Sequence, residues 1–439
     1  MLKLKINSGA GFDHLRRIFA HLSTGGDWAI SLPAETRHNL KWFFSDSLFS
    51  SAGDGIAATY LSIYILALGA TGAQIGLLSS LSGLMAAVVM IPGAWLVERV
   101  GRRKDITVWS GGGLARLCLL LLALLPLGVT GNTLIYLAIG LSICRDSFSN
   151  LAYPAWMSLV GDIVPLEGRG RYFGSRNFVM GVAGMATTIV AGELITRIGS
   201  PAGYQVALGV AFSVGMISTY SFFRIRDPHP QPIRKEQVTP GEKVSLPAML
   251  HEMFRQPGFL ALSFTAVLWN FSLNLAGPFF NVFMVRELHV TPTLIGINSV
   301  VTTIAGMLAQ LAAGRYADRI GSRRLQLFSG LFIPILPLYW VFINADWQII
   351  PINILGGALW GVYSLASFNL LLEMTPVEQR ARYSALFQVV VTVALSIGAA
   401  TGGGMVMLWG YRSVFLGSAI GRFSSALLFA WLVKPQKKG

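Results

Sequence analysis

Gly314-Arg315-Tyr316-Ala317-Asp318-Arg319-Ile320-Gly321-Ser322-Arg323-Arg324 is a short charged turn set between two long apolar runs. At an offset of 220 residues, Ala94-Trp95-Leu96-Val97-Glu98-Arg99-Val100-Gly101-Arg102-Arg103-Lys104 gives the same order of small, acidic, basic, glycine and basic residues. One half of the chain therefore copies the other. Gly321 and Gly101 let the backbone reverse at φ > 0, and the acid of each copy can face a helix N-terminus. The Arg and Lys cluster holds such a loop on the cytoplasmic side of a membrane. A second repeat supports the duplication independently. Asp162, Pro165, Glu167, Arg169, Arg171 and Tyr172 return at an offset of 211 as Glu373, Pro376, Glu378, Arg380, Arg382 and Tyr383. Each proline breaks a helix at the end of a long apolar span.

Composition agrees with a membrane chain. Of 439 residues, 53% are hydrophobic and 12% charged, about half the roughly 25% charged residues of soluble domains. The net charge of +14 does not point to nucleic acid, because the basic residues lie in loops and tails rather than on one face of a polar domain. Cys118 and Cys144 sit inside apolar runs without metal-ligand spacing and read as small buried side chains, so no cofactor or metal is expected. Residues 1–43 hold Lys3, Lys5, Arg16, Arg17, Arg37 and Lys41 without a continuous apolar segment, so no cleavable leader is expected.

A bilayer crossing takes about 20 apolar residues, and twelve runs qualify: 44–69, 73–97, 105–128, 131–161, 172–198, 202–224, 257–286, 292–316, 324–344, 347–374, 383–408 and 411–433. The expected organisation is a tail at 1–43, a six-helix bundle at 44–224, a proline-rich linker at 225–256, a second six-helix bundle at 257–433 and a short tail at 434–439. Of the 34 Lys and Arg residues, 28 fall in the tails, the linker and the loops after even-numbered spans, counting with those loops Arg176, Arg224, Arg315 and Arg324 at the adjoining span ends. Arg197, Arg286 and Arg412 fall on the other side, and Arg116, Arg145 and Arg422 lie inside spans. That bias places both termini in the cytoplasm of a multi-pass protein of the plasma or inner membrane.

The charged turns resemble the loop between the second and third helices of the major facilitator superfamily and its equivalent between the eighth and ninth. The copy at 314–324 follows the family's Gly-x-x-x-Asp-Arg-x-Gly-x-Arg-Arg/Lys pattern, whereas the first departs from it at Ala94 and Glu98, with Gly93 next door. Extended over 44–433, the resemblance implies an all-α integral membrane protein of twelve transmembrane helices in two pseudo-symmetric six-helix bundles, with a binding site near the midplane between them. It also implies a cytoplasmic gate made by Glu98, Arg99, Gly101 and Arg103 in one half and by Gly314, Asp318, Arg319, Gly321, Arg323, Glu373 and Arg380 in the other. These are expected to pair across the halves when the cavity faces outward.

Ionisable residues inside a bilayer cost about 2.5–3.5 kcal/mol each on insertion scales and mark function or a partner. Asp54 in the first span and Arg145 in the fourth lie at comparable depth and are expected to pair. The resemblance adds that Arg145 falls where proton-coupled members carry an arginine in a Leu-x-x-x-Arg pattern, here from Leu141, without the Gln-Gly that commonly follows. Either Asp54 takes up and releases a proton beside Arg145, or the two form a fixed ion pair. Asp146 is expected to turn away and pair with Arg116; Arg116 and Arg422 are read as structural, and Asp46 as solvated.

The seventh span carries Asn270, Asn274, Gly277 and Asn281 on one helical face. Such amides either bind substrate or bridge helices. Asn353, Trp360, Ser364 and Ser367 form a similar face in the tenth span, Arg145, Ser149 and Trp156 one in the fourth, and Tyr60 and Tyr64 extend the face of the first. Gly111–Gly113, Gly398 and Gly402 lack a phosphate-loop context and read as close helix contacts.

No nucleophilic triad, metal cluster or nucleotide motif is present in the sequence, so an enzyme or an ATP-driven pump is not expected. The expected function is a monomeric, proton-coupled secondary active transporter of a small organic solute working by alternating access. Export is favoured over import because aromatic rings beside amides suit amphiphiles, although the Gly-Pro pair of the family's drug:proton antiporters is missing between Gly174 and Gly192. The alternative is a non-coupled membrane receptor or a lipid scramblase or flippase on the same scaffold.

Overall fold

The expected apolar runs each form a helix or two stacked helical pieces, seen in a computed structural model that describes residues 23–24, 26–165, 168–227, 257–374 and 380–434. In chain order the first half comprises α1 Ala34–Ala67, α2 Gly72–Val100, α3 Arg103–Leu127, α4 Gly131–Ile163, α5 Arg169–Ile198 and α6 Ala202–Phe223. The second comprises α7 Pro257–Ala276 resumed as Phe279–Arg286, α8 Pro292–Ile320, α9 Ser322–Phe332 resumed as Ile335–Trp340, α10 Ile349–Glu373, α11 Arg380–Trp409 and α12 Tyr411–Leu432. Among the described residues, nine of these passes are long and apolar enough to cross a bilayer. The others are α1 and α4, which carry Asp46, Asp54, Arg145 and Asp146 in their spans, and α9, which is interrupted at Ile333-Pro334. Proline cannot donate to the helical ladder, and the same effect breaks α7 at Gly277-Pro278.

Local chemistry sets the ends. Thr71 and Gln74 form a capping box that starts α2. The two turns that betray the duplication close as expected: Gly101 ends α2 at φ 68° and Gly321 separates α8 from α9 at φ 85°, both in the region glycine alone enters without strain. At the other end of the chain's first helix the expectation needs correction. α1 starts at Ala34, ten residues before the apolar run, because its polar first turns are held by the segment after α6 and by α5: Asn39 exchanges two 2.9 Å hydrogen bonds with the Arg226 backbone, and the Tyr172 hydroxyl donates to the Leu40 carbonyl.

Helix packing repeats with the duplication. Within the first half α1 packs on α5 and α6, α2 on α4, and α3 on α4 and α6; within the second α7 packs on α11 and α12, α8 on α10, and α9 on α10 and α12. Across the halves α2 packs on α11, and its counterpart α8 packs on α5. Each contact thus has its partner under a pseudo-twofold axis. Small residues make the crossings close. A Cβ at Gly398 would meet the Phe271 carbonyl, one at Gly402 the Leu275 carbonyl, and one at Gly55 the Gly184 backbone. In α3, Gly111 and Gly112 lie against Ala152 and Thr219 within a π-helical stretch, Thr107–Leu114.

Among the described residues, the hydrogen bonds that tie the halves together gather at the face opposite the chain ends. The Tyr60 hydroxyl donates to the Thr188 carbonyl at 2.9 Å in its own half and lies 3.1 Å from the Pro292 carbonyl in the other. Arg286 donates to the Ala70 carbonyl, the Thr196 and Thr293 hydroxyls meet at 2.8 Å, and Thr293 donates to Glu193.

Candidate functional site

Two cavities occupy equivalent places in the two halves. The first, about 300 Å³, lies between α1, α3, α4 and α6 and is lined by Asp46, Asp54, Arg116, Arg145, Ser149 and Trp156 among others. The second, also about 300 Å³, lies between α7, α9, α10 and α12, with α11 along one side. Its wall holds Trp269, Asn270, Gln326, Trp360, Tyr363, Ser364, Ser367 and Gln388, and no charged side chain among the described residues. A third cavity, about 450 Å³, lies between the halves and is lined by Thr59 of α1 together with Asn281, Asn298, Asn353, Trp360 and Arg422.

The expected pair forms. Arg145 Nη2 lies 3.6 Å from Asp54 Oδ1, and Arg145 Nη1 lies 2.9 Å from Asp146 Oδ1. One guanidinium therefore bridges two carboxylates. Asp146 does not reach Arg116, as the sequence suggested, because the long arginine side chain folds back along its own helix to the neighbouring acid. The Asp54 side chain is 53% exposed, accepts from Ser50 at 3.0 Å, and lines a further space shared with Met180 and Gly184 of α5 and Ser299 of α8. It faces the gap between the halves, not lipid.

Behind Asp54 runs a buried polar chain that the sequence did not disclose. Arg116 Nη2 donates to Ser50 and to Ser218, each at 3.2 Å, and Ser218 donates to Asp46 at 2.6 Å. Asp46 is 8% exposed, so the expectation of a solvated side chain is corrected: with α1 starting at Ala34, Asp46 sits about three turns into the helix. Both Arg116 and Arg176 act electrostatically on it. Arg176, counted with the loop residues from sequence, is buried in α5 beneath the Phe43 ring at 4.5 Å and donates through Nε to Ser47. Charges bury in this half because each finds a cation, an acid or a hydroxyl partner.

The aromatic and amide candidates divide. Ser149 and Trp156 line the first cavity, Asn270, Trp360, Ser364 and Ser367 the second, and Asn281 and Asn353 the third. Asn274 instead donates to the Leu395 carbonyl at 2.8 Å, bridging α7 and α11. Tyr60 and Tyr64 are corrected: they are 1% and 0% exposed, Tyr60 tying the closed face and Tyr64 donating to the Leu122 carbonyl in the core. At about 100° per residue Tyr60 points roughly 120° away from Asp54, so the two never shared a face. Trp269, stacked on Tyr363 at 4.7 Å and 6.2 Å from Trp360, is a cavity residue that sequence reasoning missed. Its signal was its place one residue before Asn270. Cys118 is buried, while Cys144 is exposed; both are free.

At the face bearing the chain ends, Arg103 pairs with Asp162 at 2.7 Å and Asp227 at 2.8 Å, both in its own half. Arg323 donates to the Val433 and Ala430 carbonyls, and Ser322 donates to Glu373 at 2.7 Å. These bonds run within each half, not across as the latch would require. Arg99 is exposed, and Gly314 lies against Leu365. The side chains of Glu98, Asp318, Arg319 and Arg380 lie outside the described residues.

Residues 47–280 and 262–439 match the profile of the Major Facilitator Superfamily. The multidrug resistance protein MdtG of Dickeya zeae (strain Ech586) is 22% identical over 414 residues, covering 92% of this chain and 96% of that protein. A putative sugar efflux transporter of Deinococcus radiodurans is 22% identical over 170 residues, 37% of this chain and 43% of its own. Among solved structures, the nucleoside transporter NupG superposes with a TM-score of 0.67 at 14% identity, covering 90% of this chain and 99% of that one. The D-xylose-proton symporter gives 0.67 at 14% identity over 90% of this chain and 96% of its own. With its duplicated six-helix bundles and its cavities between and within them, the chain belongs to the Major Facilitator Superfamily of secondary transporters.

Proposed function

We propose that the protein exports a small organic solute by proton-coupled alternating access, with Asp54 and Arg145 as the coupling pair. The observation that carries this reading is the placement of the Asp54 carboxylate: open to the gap between the halves, yet within 3.6 Å of a guanidinium already shared with Asp146. A proton on Asp54 would release Arg145 wholly to Asp146; its departure would draw Arg145 back. The two protonation states therefore favour different positions of α1 against α4, which is what a coupling group must do. Asp46 and Arg116 lie behind the pair through Ser50 and Ser218 and offer a buried path for the charge change.

The face bearing the basic loops is taken as cytoplasmic. The bonds of Tyr60, Arg286 and Thr293 across the opposite face support reading this state as one with access from the cytoplasm. Export is favoured by the aromatic wall of the second cavity, which suits amphiphiles, and by likeness to proteins named for multidrug resistance.

The test is transport in proteoliposomes with an imposed pH gradient, using a panel of cationic, neutral and anionic aromatic solutes. Wild type is expected to move at least one of them in proportion to the gradient, and Asp54→Asn to lose that dependence while exchange at equal pH continues. Gradient-driven transport that survives Asp54→Asn would remove the pair from the mechanism.

A further inference from the structure

The second half of the molecule buries an arginine that has no acid beside it among the described residues. Arg422 of α12 is 2% exposed, and the expectation that it is merely structural leaves its chemistry unexplained. Its Nη2 makes one long bond, 3.3 Å, to the Leu273 carbonyl, and its buried Nε has no partner among the described residues. The acids of residues 257–434 are Glu287, Asp318, Asp346 and Glu373, which stand in loops or at helix ends, and Glu378, which lies outside the described residues. A guanidinium cannot escape burial by shedding its proton, so an uncompensated one is costly to keep.

Asn298 of α8 gives a second and independent sign. It is 2% exposed, and neither its Oδ1 nor its Nδ2 has a partner among the described residues. Arg422 and Asn298 line the same cavity of about 450 Å³ between the halves, together with the amides of Asn281 and Asn353. One cation and three amides, with no acid among the described lining residues, form a donor set that matches an oxyanion. Trp360 lines this cavity and also the aromatic one, where Trp269 and Tyr363 stack. A ligand spanning both would carry its negative group at Arg422 and a planar apolar body against Trp360.

We infer that the C-terminal half is an anion-recognition site and that the solute it takes is an aromatic organic acid. The word solute rests on the transporter reading above; the binding does not, and it is measured separately. Purified protein in detergent is titrated with salicylate and with salicylamide, its uncharged isostere, following quenching of tryptophan fluorescence and thermal shift, in low-salt buffer and again in chloride.

Wild type is expected to bind salicylate with a Kd about tenfold or more below that of salicylamide, the size of one charge-assisted pair. Arg422→Gln is expected to lose that preference yet still bind the amide, and Arg422→Lys to keep part of it. Retained amide binding also shows that Arg422→Gln has folded; should that variant not fold, Asn298→Ala is expected to narrow the preference in its place. Equal affinity for acid and amide in wild type, or a preference unchanged in Arg422→Gln, would overturn the site. Full displacement of salicylate by chloride, with no amide binding, would overturn the organic acid in favour of an inorganic anion. If acid preference holds while no pH-driven transport is found, the site stands and the transport mechanism falls; pH-driven movement of cations alone gives the reverse.

Discussion

The two halves share a packing plan and differ in how they treat charge. In the first half, Asp46, Asp54, Arg116, Arg145, Asp146 and Arg176 are drawn into the spans and answer one another through carboxylates and hydroxyls. In the second, the equivalent cavity is walled by Trp269, Trp360, Tyr363, Asn270 and Gln388, and the single arginine brought inside, Arg422, has no acid beside it among the described residues. Duplication thus supplied two cavities, one beside a network of paired charges and the other walled by rings and amides. On the proposed reading, the difference separates coupling from recognition on the two sides of a pseudo-twofold axis, meeting at the gap where Asp54 and Thr59 face α8.

The strongest way to break this comparison is to exchange effects between the halves. Arg145→Gln leaves Asp54 and Asp146 without their shared cation, so gradient-driven transport in proteoliposomes is expected to fall about tenfold or more. Trp360→Ala removes aromatic surface but no charge, and is expected to weaken binding of aromatic solutes by several-fold while the dependence on pH gradient persists. A Trp360→Ala protein that loses gradient dependence as completely as Arg145→Gln would mean that the division of labour is not real.

A second comparison pits two copies of one residue against each other. Arg103 and Arg323 stand at the 220-residue offset of the duplicated turn, yet Arg103 is 5% exposed and ion-paired to Asp162 and Asp227, whereas Arg323 is half-buried and bonds the Val433 and Ala430 carbonyls at the end of α12. Removing one partner of a buried pair costs about 3–5 kcal/mol, and Arg103→Ala should lie near the lower figure because Asp162 is 37% exposed. The carbonyls left by Arg323→Ala can turn to water, a loss of about 1–2 kcal/mol. Thermal unfolding in detergent should show the larger fall for Arg103→Ala; equal shifts would show that the two turns are energetically interchangeable.

How far the chain could be read in advance follows from how local each feature is. A crossing helix is announced by its own twenty residues and a tight turn by its own glycine, so the twelve passes and the turns at Gly101 and Gly321 were legible. The Asp54 and Arg145 pair was legible because depth along a helix can be counted, and an intramembrane charge needs a partner. Three things were hidden. Tyr60 and Tyr64 required the rotation of α1 to be taken residue by residue; the burial of Asp46 required the helix start at Ala34, which is fixed by distant Arg226 and not by apolar length. The emptiness around Arg422 required knowing what α7 and α8 place beside it, and no property of α12 carries that.

The smallest predicted effect sharpens the contrast between the two faces of the molecule. Tyr60 bonds Thr188 within its own half and Pro292 across the gap, so only the second bond distinguishes a closed outer face from an open one. In Tyr60→Phe the ring still fills its 1%-exposed site; the bond to Thr188 is lost in both states, but the contact with the Pro292 carbonyl is lost only in the closed one. The closed state is penalised relative to the open one, by about 1 kcal/mol, which moves the population roughly fivefold toward opening. Distance distributions between spin labels at Gly69 and His289, on facing loops of that side, should gain a longer component in Tyr60→Phe. Because α2 against α11 and α5 against α8 remain packed, the shift should stay partial; distributions identical to wild type would show that the hydroxyl does not hold the halves together.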